Sequence, residues 1–196
     1  MTRFIALACA VLAMALAVPP AAAEPLKIKS LAEKKVAELP AGTLYWRIEN
    51  FPDRASASSA AGAYSLVAES AGKAWLFTLG GTGGATPGGT KVAEIGPIPR
   101  IQAGEYLLRI NEATGAPGST TAVHSHPGSE AFYVLSGEQS IQGPAGTLKV
   151  HPGHAEAGNG ADIPMQVTST GTTDLHALVM FVVDAARPFS APAKMP

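Results

Sequence analysis

The residues best suited to chemistry are the histidines, and all five lie between His124 and His176. His124 and His126 are separated by Ser125 within a stretch whose composition is typical of a β-strand. Side chains on a strand alternate between its two faces, so both imidazoles point to one side and Ser125 points to the other. Their Cβ atoms are then roughly 6.5 Å apart, which allows both rings to reach one cation.

A tight turn follows the histidine pair. Pro127 and Gly128 are the residue types favoured at the two central positions of a type II turn, so the chain can reverse and bring Glu130 beside the histidines. Glu130 heads an apolar run, where a buried carboxylate needs a charged partner. A histidine pair alone indicates little, but with this carboxylate it suits Fe(II), Mn(II), Ni(II) or Zn(II). We therefore predict a mononuclear divalent-metal site of His124, His126 and Glu130.

This segment resembles the first sequence motif of the cupins, G-x5-H-x-H-x3-E-x6-G. Every fixed position of that motif is filled, by Gly118, His124, His126, Glu130 and Gly137. The resemblance covers roughly residues 92–184 and implies an all-β fold, the jelly-roll barrel or double-stranded β-helix of that family.

The second cupin motif, which normally supplies a third histidine, is degenerate in this sequence. The best alignment places Met165 where that histidine would stand and Ser169 where the motif has asparagine. A thioether is a soft, weak ligand that suits Mn(II) or Fe(II) poorly. Three outcomes stay open: a three-ligand metal centre, a fourth ligand from elsewhere, or loss of the metal. His154 and His176 are the candidates for a substitute ligand, although such histidines are more often structural or exposed.

Strand parity also predicts the wall of the pocket. Phe132 and Val134 share the parity of Glu130, so we expect them on the same interior face. Together with Met165 they would form an apolar wall around the ion, whereas Tyr133 would face the opposite way.

The elements that must position these residues are short β-runs broken by Gly, Pro and Ser, which predict an antiparallel sandwich or barrel. The predicted strands are Leu44–Ile48, Tyr64–Glu69, Ala74–Leu79, Val92–Ile95, Tyr106–Asn111, Thr121–His126, Ala131–Leu135, Gly146–His151, Pro164–Ser169 and Leu175–Asp184.

One short N-terminal helix is predicted over Ser30–Leu39, because Ser30 and Glu33 form a capping box and Pro40 ends the segment. Asp53–Ala63, rich in Ala and Ser, and Gly80–Thr90, rich in Gly, are predicted to be loops. The Gly-rich segment has no phosphate-loop lysine, so an exposed loop is the better interpretation.

The first 23 residues have the pattern of a secretory signal peptide. Arg3 gives a positive start, Phe4–Val18 is an unbroken apolar run, and Ala21–Ala23 offers a small-residue cleavage site. The run is shorter than the roughly 20 residues of a membrane-spanning helix. Cys9, the single cysteine, would leave with it. We therefore expect a secreted, periplasmic protein that has no disulfide and is not membrane-bound after cleavage.

Composition and length predict the organisation and partners of the chain. The 14 basic and 15 acidic residues are scattered, which argues against a nucleic-acid partner. We predict a signal peptide at 1–23, an N-terminal arm with additional strands at 24–91, a cupin barrel at 92–187 and a C-terminal tail at 188–196. The extra strands and the habits of the resembled family predict a homodimer.

Two functional classes fit these features. An ion with open positions in an apolar pocket can bind an oxygen-bearing substrate and activate O2 or act as a Lewis acid, so the protein could be an oxygenase-type enzyme. No residue near the motif identifies itself as a general base. The alternative is a non-catalytic protein that binds a small molecule or a metal, which the loss of the third histidine favours. The fold alone does not decide between them.

Overall fold

A computed structural model describes residues 23–196. The predicted signal peptide lies, except for Ala23, outside the described residues, and it stays a prediction. None of the helices in the described part is long and apolar enough to cross a membrane. Within that part the chain forms one helix, α1 (Arg54–Ala60), and fourteen strands. The strands are β1 (Lys27–Val36), β2 (Leu44–Phe51), β3 (Ser65–Ser70), β4 (Lys73–Gly80), β5 (Thr90–Ile98), β6 (Tyr106–Gly115), β7 (His124–Ser125), β8 (Gly128–Ser136), β9 (Gln139–Gly143), β10 (Gly146–Val150), β11 (Ala155–Ala157), β12 (Gln166–Ser169), β13 (Leu175–Asp184) and β14 (Ala191–Pro192).

A five-stranded antiparallel sheet, here called the central sheet, has the order β1-β6-β13-β8-β11. Its middle strand, β13, pairs with β6 from Leu175↔Gly115 to Asp184↔Tyr106 and with β8 on its other side. Both faces of β13 are buried. This explains why its sequence is a nearly continuous apolar run rather than an alternating one.

The inner face of the central sheet packs against a small sheet of order β10-β9-β12. The chain before β7 runs beside β12, through the bridges Thr120↔Thr168 and His124↔Met165, and β7 pairs with β14. The small sheet is thereby extended as far as the C-terminal tail. The predicted all-β jelly-roll barrel is confirmed, and it encloses a core that includes Val134, Ile141, Met165, Val167, Leu175, Ala177 and Val183.

The outer face of the central sheet is covered by a third layer, the outer sheet, with the order β3-β4-β2-β5. Trp46, Trp75 and Phe77 of the outer sheet pack in one core with Tyr133 and Met180 of the central sheet. The predicted extra N-terminal strands are therefore confirmed as a sheet that buries the back of the barrel. Helix α1 covers the far side of the outer sheet, where Ala57 is fully buried.

The helix predicted over Ser30–Leu39 is wrong. Most of this segment belongs to β1, whose pairing with the edge of β6 runs from Lys27↔Thr114 to Val36↔Tyr106. A capping box is a local signal, and a helix of ten residues is marginal by itself. The edge of β6 offers a continuous ladder of backbone hydrogen bonds instead, so pairing with β6 determines the conformation of this segment.

The loop predicted over Asp53–Ala63 is also wrong, because α1 lies within it. The Asp53 carboxylate accepts a hydrogen bond from the Ser56 N–H at 2.7 Å and caps the helix. Alanine, frequent here, has the highest helix propensity of all residues. The Gly-rich segment, in contrast, is a loop as predicted. It is held to the outer sheet by the buried Glu49 carboxylate, which accepts hydrogen bonds from the backbone and hydroxyl of Thr86.

The predicted boundary between residues 91 and 92 falls inside β5, a strand of the outer sheet. The N-terminal strand β1 belongs to the central sheet. Strands β9, β11 and β14 lie outside all the predicted strands.

We predict that Gly128→Ala destabilises the protein by at least about 2 kcal/mol, because a Cβ at this position would stand 2.0 Å from the Val182 carbonyl oxygen. Gly104→Ala is the matched control, since a Cβ there meets no atom within 4 Å. It should change stability by less than about 1 kcal/mol. Urea unfolding of both variants measures the difference, and equal midpoints would contradict the tight pairing of β8 with β13.

Candidate metal and ligand site

A cavity of about 350 Å³ lies between the central sheet and the small sheet. All three residues of the predicted metal site, His124, His126 and Glu130, line it. The rest of the lining is mostly apolar and is supplied by both sheets and the tail: Ile28, Ala113, Phe132, Val167, Val179, Phe181 and Phe189. The predicted strand parity therefore places the two imidazoles and the carboxyl group in one apolar space.

His124 is held beside β12 by two backbone hydrogen bonds with Met165, at 2.9 and 2.8 Å. Residues paired in this way project their side chains from the same face of a sheet. The Nδ1 atom of His124 lies 2.9 Å from the carbonyl oxygen of Ala122. Since a carbonyl only accepts, this contact requires the proton on Nδ1, and Nε2 is the nitrogen that remains for a ligand.

His126 is fixed in the same manner by the C-terminal tail. Its Nδ1 atom lies 2.7 Å from the carbonyl oxygen of Phe189, so Nε2 is again free of a proton. Its ring packs between Phe181 and Phe189, with centroids 4.8 and 4.7 Å away, and lies 5.0 Å from the ring of His124. Burial lowers the pKa of His126 from 6.5 to about 4, which keeps the imidazole neutral near pH 7.

Glu130, in β8, is buried, and its Oε1 atom has no hydrogen-bond partner. Burial raises the pKa of this carboxyl group to about 8, and a backbone hydrogen bond from Asn159 offsets the rise only in part. The side chain packs against Gly158, where a Cβ would stand 2.6 Å from Cγ of Glu130. Only glycine fits this approach without moving the glutamate.

The three predicted ligands share the cavity without forming a closed coordination shell. Across residues 23–196, no three His, Cys, Asp or Glu side chains are grouped closely enough to hold one ion. The structure brings the two imidazoles together and places Glu130 on another wall of the same space. The ligation of a metal by His124, His126 and Glu130 stays a prediction.

The other predicted pocket residues divide between the cavity and its surroundings. Phe132 lines the cavity, whereas Val134 and Met165 are buried in the adjoining core and are not part of the lining. Tyr133 points to the outer sheet, where its ring packs 6.1 Å from Trp75.

Neither candidate for a substitute ligand reaches the cavity. His154 is exposed, and its Nδ1 atom lies 3.1 Å from the Pro152 carbonyl oxygen. His176 lies on the outer face of the central sheet, where its Nε2 is 2.7 Å from Glu112 and 3.0 Å from the Ser70 hydroxyl. His154 is therefore a surface residue, and His176 belongs to a hydrogen-bonded group outside the cavity.

Gln139, Phe181 and Phe189 are among the lining residues that the sequence did not predict. Phe181 could have been found from its parity with the inward-facing Val179. Gln139 shares the parity of Ile141, but an isolated glutamine carries no recognisable signal. Phe189 belongs to the cavity only because the tail returns to it.

The C-terminal tail supplies part of the cavity wall through Phe189 and Ser190. It begins at Arg187, whose guanidinium forms two hydrogen bonds to the Asp162 carboxylate at 2.6 and 3.0 Å. Phe189 then stacks beneath the guanidinium of Arg109, 4.2 Å from the ring centroid, and β14 pairs with β7. The tail thus supplies both an aromatic wall and the carbonyl that orients His126.

Two histidines and a glutamate on the interior wall of a jelly-roll barrel form the arrangement that the resemblance to the first cupin motif predicts. No protein-family model matches the sequence, and no curated protein matches it.

Several solved structures resemble part of the chain. A cupin superfamily protein from Desulfitobacterium hafniense is 17% identical over 39% of this chain and 68% of its own, with a TM-score of 0.35. A protein with a double-stranded β-helix domain from Klebsiella pneumoniae is 21% identical over 44% of this chain and 75% of its own, at 0.38. A DMSP lyase from Ruegeria pomeroyi is 21% identical over 44% of this chain and 43% of its own, with a TM-score of 0.38. The match spans less than half the length of the DMSP lyase chains.

We predict that Phe189→Ala raises the pKa of His126 from about 4 toward 6.5, because the smaller side chain admits water to the imidazole. An NMR titration of the histidine ring resonances measures this value. A pKa that stays near 4 in the variant would contradict the role of the tail in burying His126.

Proposed function

We propose that this chain is an exported cupin-fold protein whose cavity binds a divalent metal ion through His124, His126 and Glu130, and beside it a small organic molecule. The observation that carries the proposal is the state of the two imidazoles. In each ring Nδ1 lies at hydrogen-bond distance from a backbone carbonyl oxygen, which leaves Nε2 as the atom that can bind a ligand in the cavity. Histidines that bind metals are oriented by such hydrogen bonds.

The donor set fits a divalent cation in its chemistry. Two neutral imidazoles and one carboxylate suit Fe(II), Mn(II), Ni(II) or Zn(II). The Glu130 carboxyl is buried with an unpartnered oxygen, and a bound cation would supply the charge that this group lacks. Such an ion would act as a Lewis acid toward an oxygen-bearing substrate or activate O2.

The chain's own residues would bind and shield the organic molecule. Phe132, Phe181 and Phe189 make the lining apolar and exclude water, and the Phe189 carbonyl keeps His126 in a fixed orientation. The enzymatic form of this proposal is an oxygenase-type reaction.

A second function, metal-free binding of a small molecule, is favoured by two observations. Met165, which the alignment sets in place of the third histidine, is buried in the apolar core beside His124. Without a cation, the high pKa of Glu130 leaves its carboxyl group largely neutral near pH 7. The cavity would then be an apolar pocket with neutral polar groups on its wall.

Export is part of the proposal and rests on residues 1–23, where a positive start, an apolar run and a small-residue cleavage site follow in order. The proposed location is the periplasm, and the predicted homodimer is likewise a proposal.

We predict that the protein purified without a His-tag retains a divalent metal, and that His124→Ala and Glu130→Gln each lower its metal content at least about tenfold. His154→Ala is the matched control, because this histidine is exposed and lies outside the cavity lining. Plasma emission spectroscopy measures the metal. Glu130→Gln should change the melting temperature of metal-free protein little, since glutamine is nearly isosteric with the neutral carboxyl group that this buried site favours.

Two results would contradict the metal-binding proposal in different ways. Full metal content in both cavity variants would show that the assigned ligands are wrong. A metal-free wild-type protein that still binds small apolar molecules would support the second function instead.

We predict that Met165→His tightens binding of Zn²⁺ at least about tenfold, because residue 165 projects from the same face as His124 and a third imidazole would complete the ligand set. Competition with a chromogenic chelator measures the affinity. An unchanged affinity would count against the alignment of Met165 with the missing histidine.

A further inference from the structure

Gln139 is a polar residue in an unusual position. It opens β9, is completely buried, and lines the cavity. Neither its amide oxygen nor its amide nitrogen has a hydrogen-bond partner.

The surroundings of Gln139 offer little that could satisfy it. In the small sheet it lies opposite Val150 on one side and Ser169 on the other. The Ser169 hydroxyl is also buried without a partner. Buried polar groups in proteins are nearly always hydrogen-bonded, and an unpaired amide costs stability that a bound molecule can restore.

The rest of the cavity restricts what such a molecule can be. Its walls are chiefly the apolar side chains of Ala113, Phe132, Val167, Val179 and Phe181. A volume of about 350 Å³ is at the lower end of the range for small-molecule sites. An apolar wall penalises a charged ligand strongly and a neutral one much less.

We propose that Gln139 recognises the polar end of a neutral, ring-containing small molecule that presents a hydrogen-bond donor and an acceptor side by side, as a primary carboxamide does. The glutamine amide offers the complementary pair, an N–H and a C=O. The ring of the ligand lies against the aromatic wall. This inference rests on the proposed small-molecule function of the cavity and names the class of ligand and the residue that selects it.

The test uses two probes of similar size, benzamide and isopropylbenzene, titrated into the full chain and followed by protein-detected NMR. Wild-type protein should bind benzamide more tightly than isopropylbenzene. Gln139→Leu should lower the affinity for benzamide at least about tenfold while keeping or raising that for isopropylbenzene, because two hydrogen bonds are lost and an apolar wall is gained.

Gln142→Leu is the matched control, since it changes the same residue type on the same strand at an exposed position. It should leave both affinities unchanged. Gln139→Met replaces the leucine variant if that one does not fold, and the same reversal of preference is expected.

The outcomes separate this inference from the function on which it rests. If wild-type and Gln139→Leu proteins bind benzamide equally, Gln139 does not select the ligand, although the cavity still binds small molecules. If neither probe binds and the protein carries no metal, both the inference and the proposed function are overturned.

Discussion

The constraint on which this structure depends is that β13 and β8, in the middle of its central sheet, are buried on both faces. One face closes the barrel against the small sheet, and the other lies under the outer sheet. Strand β13 shows the result most clearly, with Val179 and Phe181 on the barrel side and Leu178 and Met180 on the other. Apolar side chains pack on both sides of β13, so a polar group buried beside it needs a specific partner.

That constraint explains the character of the site. Glu130 stands on the barrel side of the central sheet, where burial alone raises its pKa to about 8. Burial also keeps His126 neutral, because it lowers the pKa of a base. Both residues are therefore kept in the uncharged state unless a ligand changes their surroundings. Binding of the proposed ion would restore the charge of the glutamate.

The sequence predicted what depends on local rules. Strand alternation placed His124, His126, Glu130 and Phe132 on the wall of one cavity. Strand β13 begins and ends at the predicted residues, Leu175 and Asp184. Prediction failed where a segment distant in the sequence determines the local conformation. The capping box at Ser30 is local, but the free edge of β6 turns that segment into a strand.

The dependence on residues distant in the sequence also explains which residues of the site were not predicted. Gln139 became notable only when the structure left its amide without a partner, which no sequence pattern records. Phe189 meets His126 across 63 positions of the chain, through a tail with no motif of its own. Met165, placed by an imperfect alignment, proved to be the register partner of His124, which was accessible only from the pairing of strands.

The tail also makes one wall of the site depend on a segment far along the chain from the histidines. The Phe189 carbonyl orients His126 and the Phe189 ring packs against it, so a change that detaches this segment would both release and expose the imidazole. Arg187 and Asp162 lie outside the cavity lining, yet their hydrogen bonds hold the segment that leads into Phe189. The geometry of the buried site therefore depends in part on a charged pair at the surface.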